Sequence, residues 1–127
     1  MSTPQKVAIL GGGMGALATA FELTSQPDWR ERFEVTIYQL GWRLGGKCAS
    51  SRGANDRIEE HGIHGFVGSY FNALPLMARV YDELGREPGQ PLATFEEAFL
   101  GSDFTMQWEF RDGALRPWPV RLPPNDL

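Results

Sequence analysis

Apolar residues in the first third of the chain follow the periodicity of a strand, then a helix, then a second strand. A short apolar run, Val7 to Leu10, leads directly into a glycine-rich turn. Over 14–24, small and apolar residues recur every three or four positions, the spacing of a helix that packs on a sheet. Alternation over 33–38 predicts the second strand. We therefore predict a βαβ unit, the opening of a Rossmann-like α/β fold with an incomplete parallel sheet.

Beyond this unit the sequence predicts a long loop and two helices. The segment 41–68 is rich in glycine and holds only short apolar pieces, so we expect a functional loop with one brief strand at 57–59. Helical spacing predicts a helix over 70–84, which Gly85 caps. Thr94, with a glutamate three residues later, forms a capping box that opens a second, short helix.

A β-hairpin is predicted near the end of the sequence. Polar and apolar residues alternate over 105–110, Asp112-Gly113 is a hairpin turn signal, and 114–116 returns. The prolines from 117 onward predict no further element. Aromatic residues of this region are expected to pack in a core, with a substrate cage as the alternative: Phe104, Trp108, Phe110 and Trp118.

Composition narrows the function classes. At 127 residues, 42% hydrophobic and 22% charged, the chain has the size and make-up of one globular domain. Its 12 basic and 16 acidic residues give a net charge of −4, which argues against a nucleic-acid partner. Cys48 is the one cysteine, so a cytoplasmic, reducing compartment is the simple interpretation. No apolar stretch is long enough for a transmembrane segment, while peripheral membrane contact stays open.

The first glycine turn has the chemistry of a diphosphate cradle. In Gly11-x-Gly13-x-x-Ala16, the first glycine permits a tight turn and the second lets the backbone approach phosphates. The small third residue lets helix and strand pack closely. Amides at the helix start, including those of Met14 and Gly15, would bind the diphosphate oxygens. A tight turn with only a structural role is the alternative.

A second glycine loop follows the second strand. Gln39 ends that strand where such folds usually place an acid on the adenosine ribose; a solvent-facing strand end is the alternative. In Arg43-Leu44-Gly45-Gly46-Lys47, the paired glycines expose amides and the two cations suit phosphate. An NAD-only fold has no need for this second phosphate loop.

These motifs resemble the FAD-dependent amine oxidase and carotenoid (phytoene) desaturase-like flavoproteins. The N-terminal part of that family carries a glycine turn, a ribose-binding acid and an Arg-x-Gly-Gly-Arg segment at a fixed offset. Here the run 39–47 keeps the offset, with Gln39 for the acid and Lys47 for the last arginine. The segment 60–66 is similar to the family's Glu-x-Gly-x-His-x-Phe segment, which lies beside the isoalloxazine ring.

The resemblance implies FAD as the cofactor and a set of binding residues. His61 and His64 would lie near the flavin; structural loop histidines are the alternative, and a metal site is disfavoured because Cys48, Glu59 and Glu60 make a poor ligand set. No residue stands out as a catalytic base. The expected cofactor-binding residues are Gly11, Gly13, Met14, Gly15, Gln39, Leu40, Arg43, Gly45, Gly46, Lys47, His61, Gly62, Ile63 and His64.

The implied function is that of a flavin-dependent oxidoreductase. FAD would take a hydride from a C–N or C–C single bond of a small-molecule substrate. Residues 1–72 would form the FAD-binding unit, and 73–127 the start of a substrate-binding domain. Family members are longer, so the chain is expected to be a fragment, a processed or separate subunit completed by a companion polypeptide in a heteromer, or a degenerate remnant. An NAD(P)-binding module of a dehydrogenase and a non-catalytic scaffold chain are the rival hypotheses.

Overall fold

The structure is a computed structural model that describes residues 3–62 and 64–123. The chain divides into two compact units, Met1–Gly65 and Phe66–Leu127. The helices and strands of the first unit are β1 Gln5–Leu10, α1 Met14–Thr24, α2 Trp29–Arg32, β2 Phe33–Tyr38, β3 Ser51–Arg52 and β4 Ile58–Glu59. Those of the second unit are α3 Ala73–Leu84, α4 Phe95–Ala98, β5 Phe104–Arg111 and β6 Ala114–Arg121.

The first unit is built on the predicted βαβ element. β1 and β2 are parallel, with Val7 opposite Val35 and Ile9 opposite Ile37. These four side chains and Phe33 are the buried or half-buried positions of their strands, and α1 packs against both strands. A side-chain period of two places them on one face, which the helix covers. The Rossmann-like α/β prediction is confirmed.

The opposite face of the same sheet is open. Leu10 and Tyr38 are partners in the register, and they are 82% and 60% exposed. Parallel sheets are normally covered on both faces, because helices of the crossover connections lie on each side. The two-stranded sheet is therefore an incomplete one, as predicted.

The glycine-rich loop holds more order than the sequence predicts. The brief strand expected at 57–59 is β4, and it pairs antiparallel with β3, which was not predicted. Residues 29–32, between the predicted helix and the second predicted strand, form the short helix α2. Periodicity cannot be recognised over only two to four residues, so it could not predict β3 or α2.

Aromatic contacts hold the second unit together around its two helices. The Phe99 ring stacks on Phe95 at 4.7 Å and meets Phe66 and Tyr81 edge-on at 5.0 and 6.1 Å. Gly85, at φ +54°, ends α3 in the left-handed conformation that glycine tolerates best. The Phe66, Tyr81, Phe95 and Phe99 cluster thus joins α3 to α4, with Phe66 still 41% exposed.

The predicted capping of α4 is present with a small shift. The Thr94 hydroxyl accepts from the Glu97 N–H at 3.2 Å, as a capping box requires. The Glu97 carboxylate accepts from the Ala93 N–H at 2.8 Å, one residue before the cap itself. Each of the two bonds satisfies an amide that has no partner within the helix. They therefore stabilise α4, which has only one turn.

The hairpin is present, but its second strand is longer than predicted. Asp112 and Gly113 have φ of 53° and 75°, as a two-residue turn with both central residues left-handed requires. β6 then runs through Pro117 and Pro119 to Arg121, so the prediction of no further element after residue 116 is wrong. The Leu122 N–H donates to Asp103 across the strands, and counting from that pair places both prolines at non-hydrogen-bonded positions. A missing N–H costs nothing there.

The prediction that the hairpin aromatic residues form a core is also wrong within the described residues. Phe104, Met106, Trp108 and Phe110 share one face of β5 by the period of two, and all four are exposed. Trp118, opposite Gln107, lies on the other face and is exposed as well.

Across residues 3–62 and 64–123 no helix combines the length and apolar character needed to cross a bilayer.

Candidate dinucleotide-binding site

The first glycine turn closes against the end of β2 and leaves open space above itself. The Gly11 N–H donates to the Tyr38 carbonyl at 2.8 Å, and its φ of +98° is one that side-chain-bearing residues rarely adopt. A Cβ built on Gly11, Gly13 or Gly15 would meet nothing within 4 Å. The turn therefore has room for a ligand directly over its backbone.

The helix that follows has an end suited to an anion. α1 begins at Met14 after Gly13, with no side-chain cap and no acidic residue in its first turn. The positive end of a helix dipole and its unpaired amides attract phosphate oxygens, and a carboxylate there would compete with them. The residues present thus fit the diphosphate of a dinucleotide.

The second glycine loop lies directly against the first. Gly13 and Gly45 form an isolated parallel bridge, and the Gly45 N–H donates to the Gly12 carbonyl at 2.7 Å. A Cβ on Gly46 would lie 3.0 Å from the Gly13 Cα, and Gly46 has a φ of +59°. Paired glycines are needed here for close backbone approach. The Gly45 amide, which the sequence assigns to phosphate, is bonded to protein.

Gly12 has a role that the sequence reasoning missed. Its carbonyl receives the Gly45 bond, and a Cβ at this position would lie 2.6 Å from the Leu44 side chain and 2.9 Å from Gln39 Oε1. Contacts that short do not occur between real atoms, so only glycine fits without a shift. The signal was available, because three consecutive glycines stand where the dinucleotide motif needs two.

Arg43 fastens the second loop internally. Its guanidinium donates to the Ser50 carbonyl and, at 3.2 Å, to the Ala49 carbonyl. It also lies over the Trp42 ring, 5.2 Å from the centroid. The planar fork of donors holds the ends of the loop together. Lys47, within the short 3₁₀ turn Gly46–Cys48, is exposed.

Gln39 bridges the two glycine loops through its amide. Its Nε2 donates to the Arg43 carbonyl at 3.2 Å, while Oε1 faces the Gly12 backbone. A carboxylate at this position could not donate that bond. Leu40, the next predicted site residue, is exposed and belongs to none of these contacts.

The histidine loop is brought to the second glycine loop through His64. The ring Nε2 lies 2.9 Å from the Lys47 carbonyl oxygen, and Nδ1 lies 3.1 Å from Glu60 Oε2. The Ser50 hydroxyl donates to the other Glu60 oxygen. Ser50 and Glu60 were not predicted as site residues.

The remaining residues of that loop are not drawn into the same contacts. His61 and Gly62 are exposed, and the predicted site residue Ile63 lies outside the described residues. In the part of the chain that the structure describes, no three histidine, cysteine or acidic side chains form a group that could hold a metal ion. His64 is therefore the member of the loop whose position the structure defines by contacts.

Comparison with known proteins agrees with the geometry. Residues 9–84 match the family described as NAD(P)-binding Rossmann-like domain. The chain is similar to carotenoid phi-ring synthase of Chlorobaculum tepidum, 33% identical over 72% of this chain and 14% of that protein. It is similar to zeta-carotene desaturase of Arabidopsis thaliana, 34% identical over 84% of this chain and 18% of that protein.

A further relative widens the range of chemistry. Polyamine oxidase 1 of Oryza sativa subsp. japonica is 36% identical over 68% of this chain and 16% of that protein. The chain thus spans less than a fifth of the length of each of these relatives. No solved structure matches it.

Proposed function

This chain belongs to the NAD(P)-binding Rossmann-like domain family, and we propose that it binds FAD. It corresponds to the N-terminal part of the FAD-dependent amine oxidase and carotenoid desaturase family, as its motifs predict. The observation that carries the proposal is the contact between Gly13 and Gly45, which places two glycine clusters at one point. The second glycine loop is thereby held against the helix start, whose own amides suit a diphosphate.

Each predicted residue has a part in holding the cofactor. Amides at the start of α1, including those of Met14 and Gly15, bind the diphosphate, Gly11 and Gly13 give it room, and Lys47 adds an exposed cation. Gln39 Oε1 accepts a ribose hydroxyl, with Leu40 exposed beside it. Arg43, Gly45 and Gly46 shape the second loop through the bonds and close contacts described above.

The loop 61–64, with His61, Gly62, Ile63 and His64, would border the flavin ring. We place the cofactor-binding part at 1–72 and the start of a substrate-binding domain at 73–127. The lone Cys48 suits a reducing, cytoplasmic setting.

The proposed activity is that of a flavin-dependent oxidoreductase. Bound FAD would supply hydride acceptance from a C–N or C–C single bond of a small molecule. The named relatives, two carotenoid enzymes and a polyamine oxidase, support both bond types. Because the chain spans only 14–18% of these relatives, the substrate pocket would come from further sequence or from a companion polypeptide.

Nucleotide titration tests the cofactor. FAD, NADH and NADPH are titrated separately into the purified chain, together with any polypeptide that co-purifies, and bound ligand is followed by fluorescence and equilibrium dialysis. We expect FAD to bind most tightly. Binding of NADH or NADPH with no FAD binding would contradict the proposal and favour a dehydrogenase module.

A glycine pair gives the matched control for the site. Gly46→Ala adds a methyl 3.0 Å from Gly13 Cα, whereas Gly89→Ala adds one where nothing lies within 4 Å; both glycines have positive φ. We expect Gly46→Ala to weaken FAD binding about tenfold and Gly89→Ala to leave it unchanged, since local strain alone is common to both. An equal loss of FAD affinity in the two variants would show that backbone strain, and not contact between the loops, limits binding.

The scaffold hypothesis is separable from an active role. If a companion polypeptide co-purifies, its activity is measured with and without this chain. We expect activity to require this chain and its glycine turn. Full activity of the companion alone would favour a scaffold.

A further inference from the structure

We propose that Glu60 and His64 form a clasp that positions the second glycine loop for the cofactor, with His64 acting through the Lys47 carbonyl. This Glu60–His64 clasp deepens the proposed FAD function and rests on it. His64 is thus a positioning residue for the second glycine loop. The alternative is a histidine whose main contact is the flavin ring.

Both nitrogens of the His64 ring have partners in the protein. Nε2 meets the Lys47 carbonyl at 2.9 Å and Nδ1 meets the Glu60 carboxylate at 3.1 Å. The His64 and Glu60 side chains are 24% and 32% exposed, so both are partly shielded from water. A carbonyl and a carboxylate are both acceptors, so a ring N–H that points to either of them is directed at the protein.

The Glu60–His64 clasp contacts the second glycine loop at two points. Lys47 supplies the carbonyl, and Ser50, three residues later, donates its hydroxyl to the second Glu60 oxygen. Between them, the Cys48 and Ala49 amides donate back to Gly45 and Gly46 at 3.1 and 3.2 Å. The turn at 45–49 has its own backbone bonds, and the Glu60–His64 pair adds contacts from another segment of the chain.

The grip extends to the first glycine turn through contiguous backbone contacts. Gly45, which accepts from Cys48, donates to Gly12 at 2.7 Å, and Gly46 lies against Gly13. Release of the Lys47 carbonyl would therefore loosen the meeting point of the two glycine clusters. The diphosphate end of the cofactor would then be affected, although His64 lies in the histidine loop.

ADP separates the two roles of His64. ADP carries the adenosine and diphosphate of FAD but no flavin ring. A residue that contacts the ring affects FAD binding alone, whereas a residue that positions the phosphate loop affects both ligands by the same factor. We expect His64→Ala and Glu60→Ala each to weaken FAD and ADP binding by about five- to tenfold, the range for the loss of one ordinary hydrogen bond.

Two near-isosteric variants identify the bond that matters. The amide nitrogen of glutamine reaches the position of Nε2, and that of asparagine reaches the position of Nδ1. We expect His64→Gln to retain the Lys47 bond and bind both ligands within about twofold of the original chain, and His64→Asn to resemble His64→Ala. Glu87→Ala, at an exposed position in the second unit, is the control and should change neither affinity.

Hydrogen exchange tests the clasp without any ligand. In His64→Ala the amides of Gly45, Cys48 and Ala49 should exchange faster, while those of β1 and β2 keep their protection and report that the variant is folded. Unchanged exchange of the loop amides, or a loss of affinity for FAD with none for ADP, would overturn the clasp. If the original chain binds neither FAD nor ADP, the proposed function fails, and the exchange result still decides the clasp.

Discussion

The glycine loops and the β5–β6 hairpin use backbone and side chains in opposite ways. Around Gly13 and Gly45, main chain packs on main chain at 2.7–3.0 Å, and the side chains that matter are polar ones tied to carbonyls. In the hairpin, backbone bonds join only β5 and β6, and a row of large apolar side chains stands exposed. The first region is held together by its own polar and backbone contacts, whereas no described residue covers the apolar side chains of the second.

The two regions also differ in how much of their contact surface the described residues supply. Polar and backbone contacts at the glycine loops are made between residues within 11–64, all in the first unit. Burial of Trp108 or Phe110, 61% and 72% exposed, would recover hydrophobic free energy that the described residues do not supply. The apolar face of the hairpin is therefore uncovered among the described residues, whereas the glycine loops contact each other.

The largest effect is expected from breaking the hairpin ladder. Val120 is opposite Thr105 at a hydrogen-bonded position, and Val120→Pro should destabilise the hairpin by about 1–3 kcal/mol because the ladder loses an N–H. Amide exchange of β5 measures this. Pro119→Val, at a non-hydrogen-bonded position, should shift stability by less than about 0.5 kcal/mol. Comparable losses in both would mean that the register is wrong.

A branched side chain in the second glycine loop should nearly abolish nucleotide binding. Gly45 has a φ of +109°, and a Cβ there would lie 2.9 Å from the Ala49 Cβ. Gly45→Val should weaken FAD and ADP binding by about a hundredfold or more, because strain and overlap add at one position. Dialysis against labelled ADP measures the change. Retained binding would show that the loops do not need to meet.

Substitutions on the hairpin should leave the glycine site unaffected. Trp108→Ser with Phe110→Ser removes two exposed aromatic residues from one face. Binding of the dye ANS should fall by about half, since that dye reports exposed apolar surface. ADP affinity, titrated on the same sample, should stay within about twofold of the original chain. A larger change in ADP affinity would show that the regions are coupled.

The smallest effect is expected at Gln39. Gln39→Glu removes the donor to the Arg43 carbonyl and places a carboxylate beside that oxygen. Because Gln39 is exposed, the loss should be only about 0.5 kcal/mol, seen as faster exchange of the Gly45 amide. Gln39→Leu is the uncharged comparison and should give a similar loss. Slower exchange of the Gly45 amide in Gln39→Glu would show that the Gln39 bond to the Arg43 carbonyl does not stabilise the loop.

Much of the fold follows from local sequence. β1, α1 and β2 lie within about two residues of their predicted bounds, because each has a clear period and the glycine turn marks the junction. The turn at Asp112-Gly113 and the cap at Thr94 are also legible, since each depends on residues within four positions. Both glycine clusters are also legible as motifs, and the bridge between Gly13 and Gly45 shows that they meet.

The individual roles within the site were decided by contacts between residues distant in sequence. Periodicity cannot reveal that the Gly45 amide is bonded to Gly12, that Arg43 holds carbonyls of its own loop, or that His64 reaches Lys47. Nor does it tell a strand-breaking proline from one at a non-hydrogen-bonded position, which depends on the register between β5 and β6. Residue types specify which groups can bond. Which group each one bonds to is fixed when the chain brings them together.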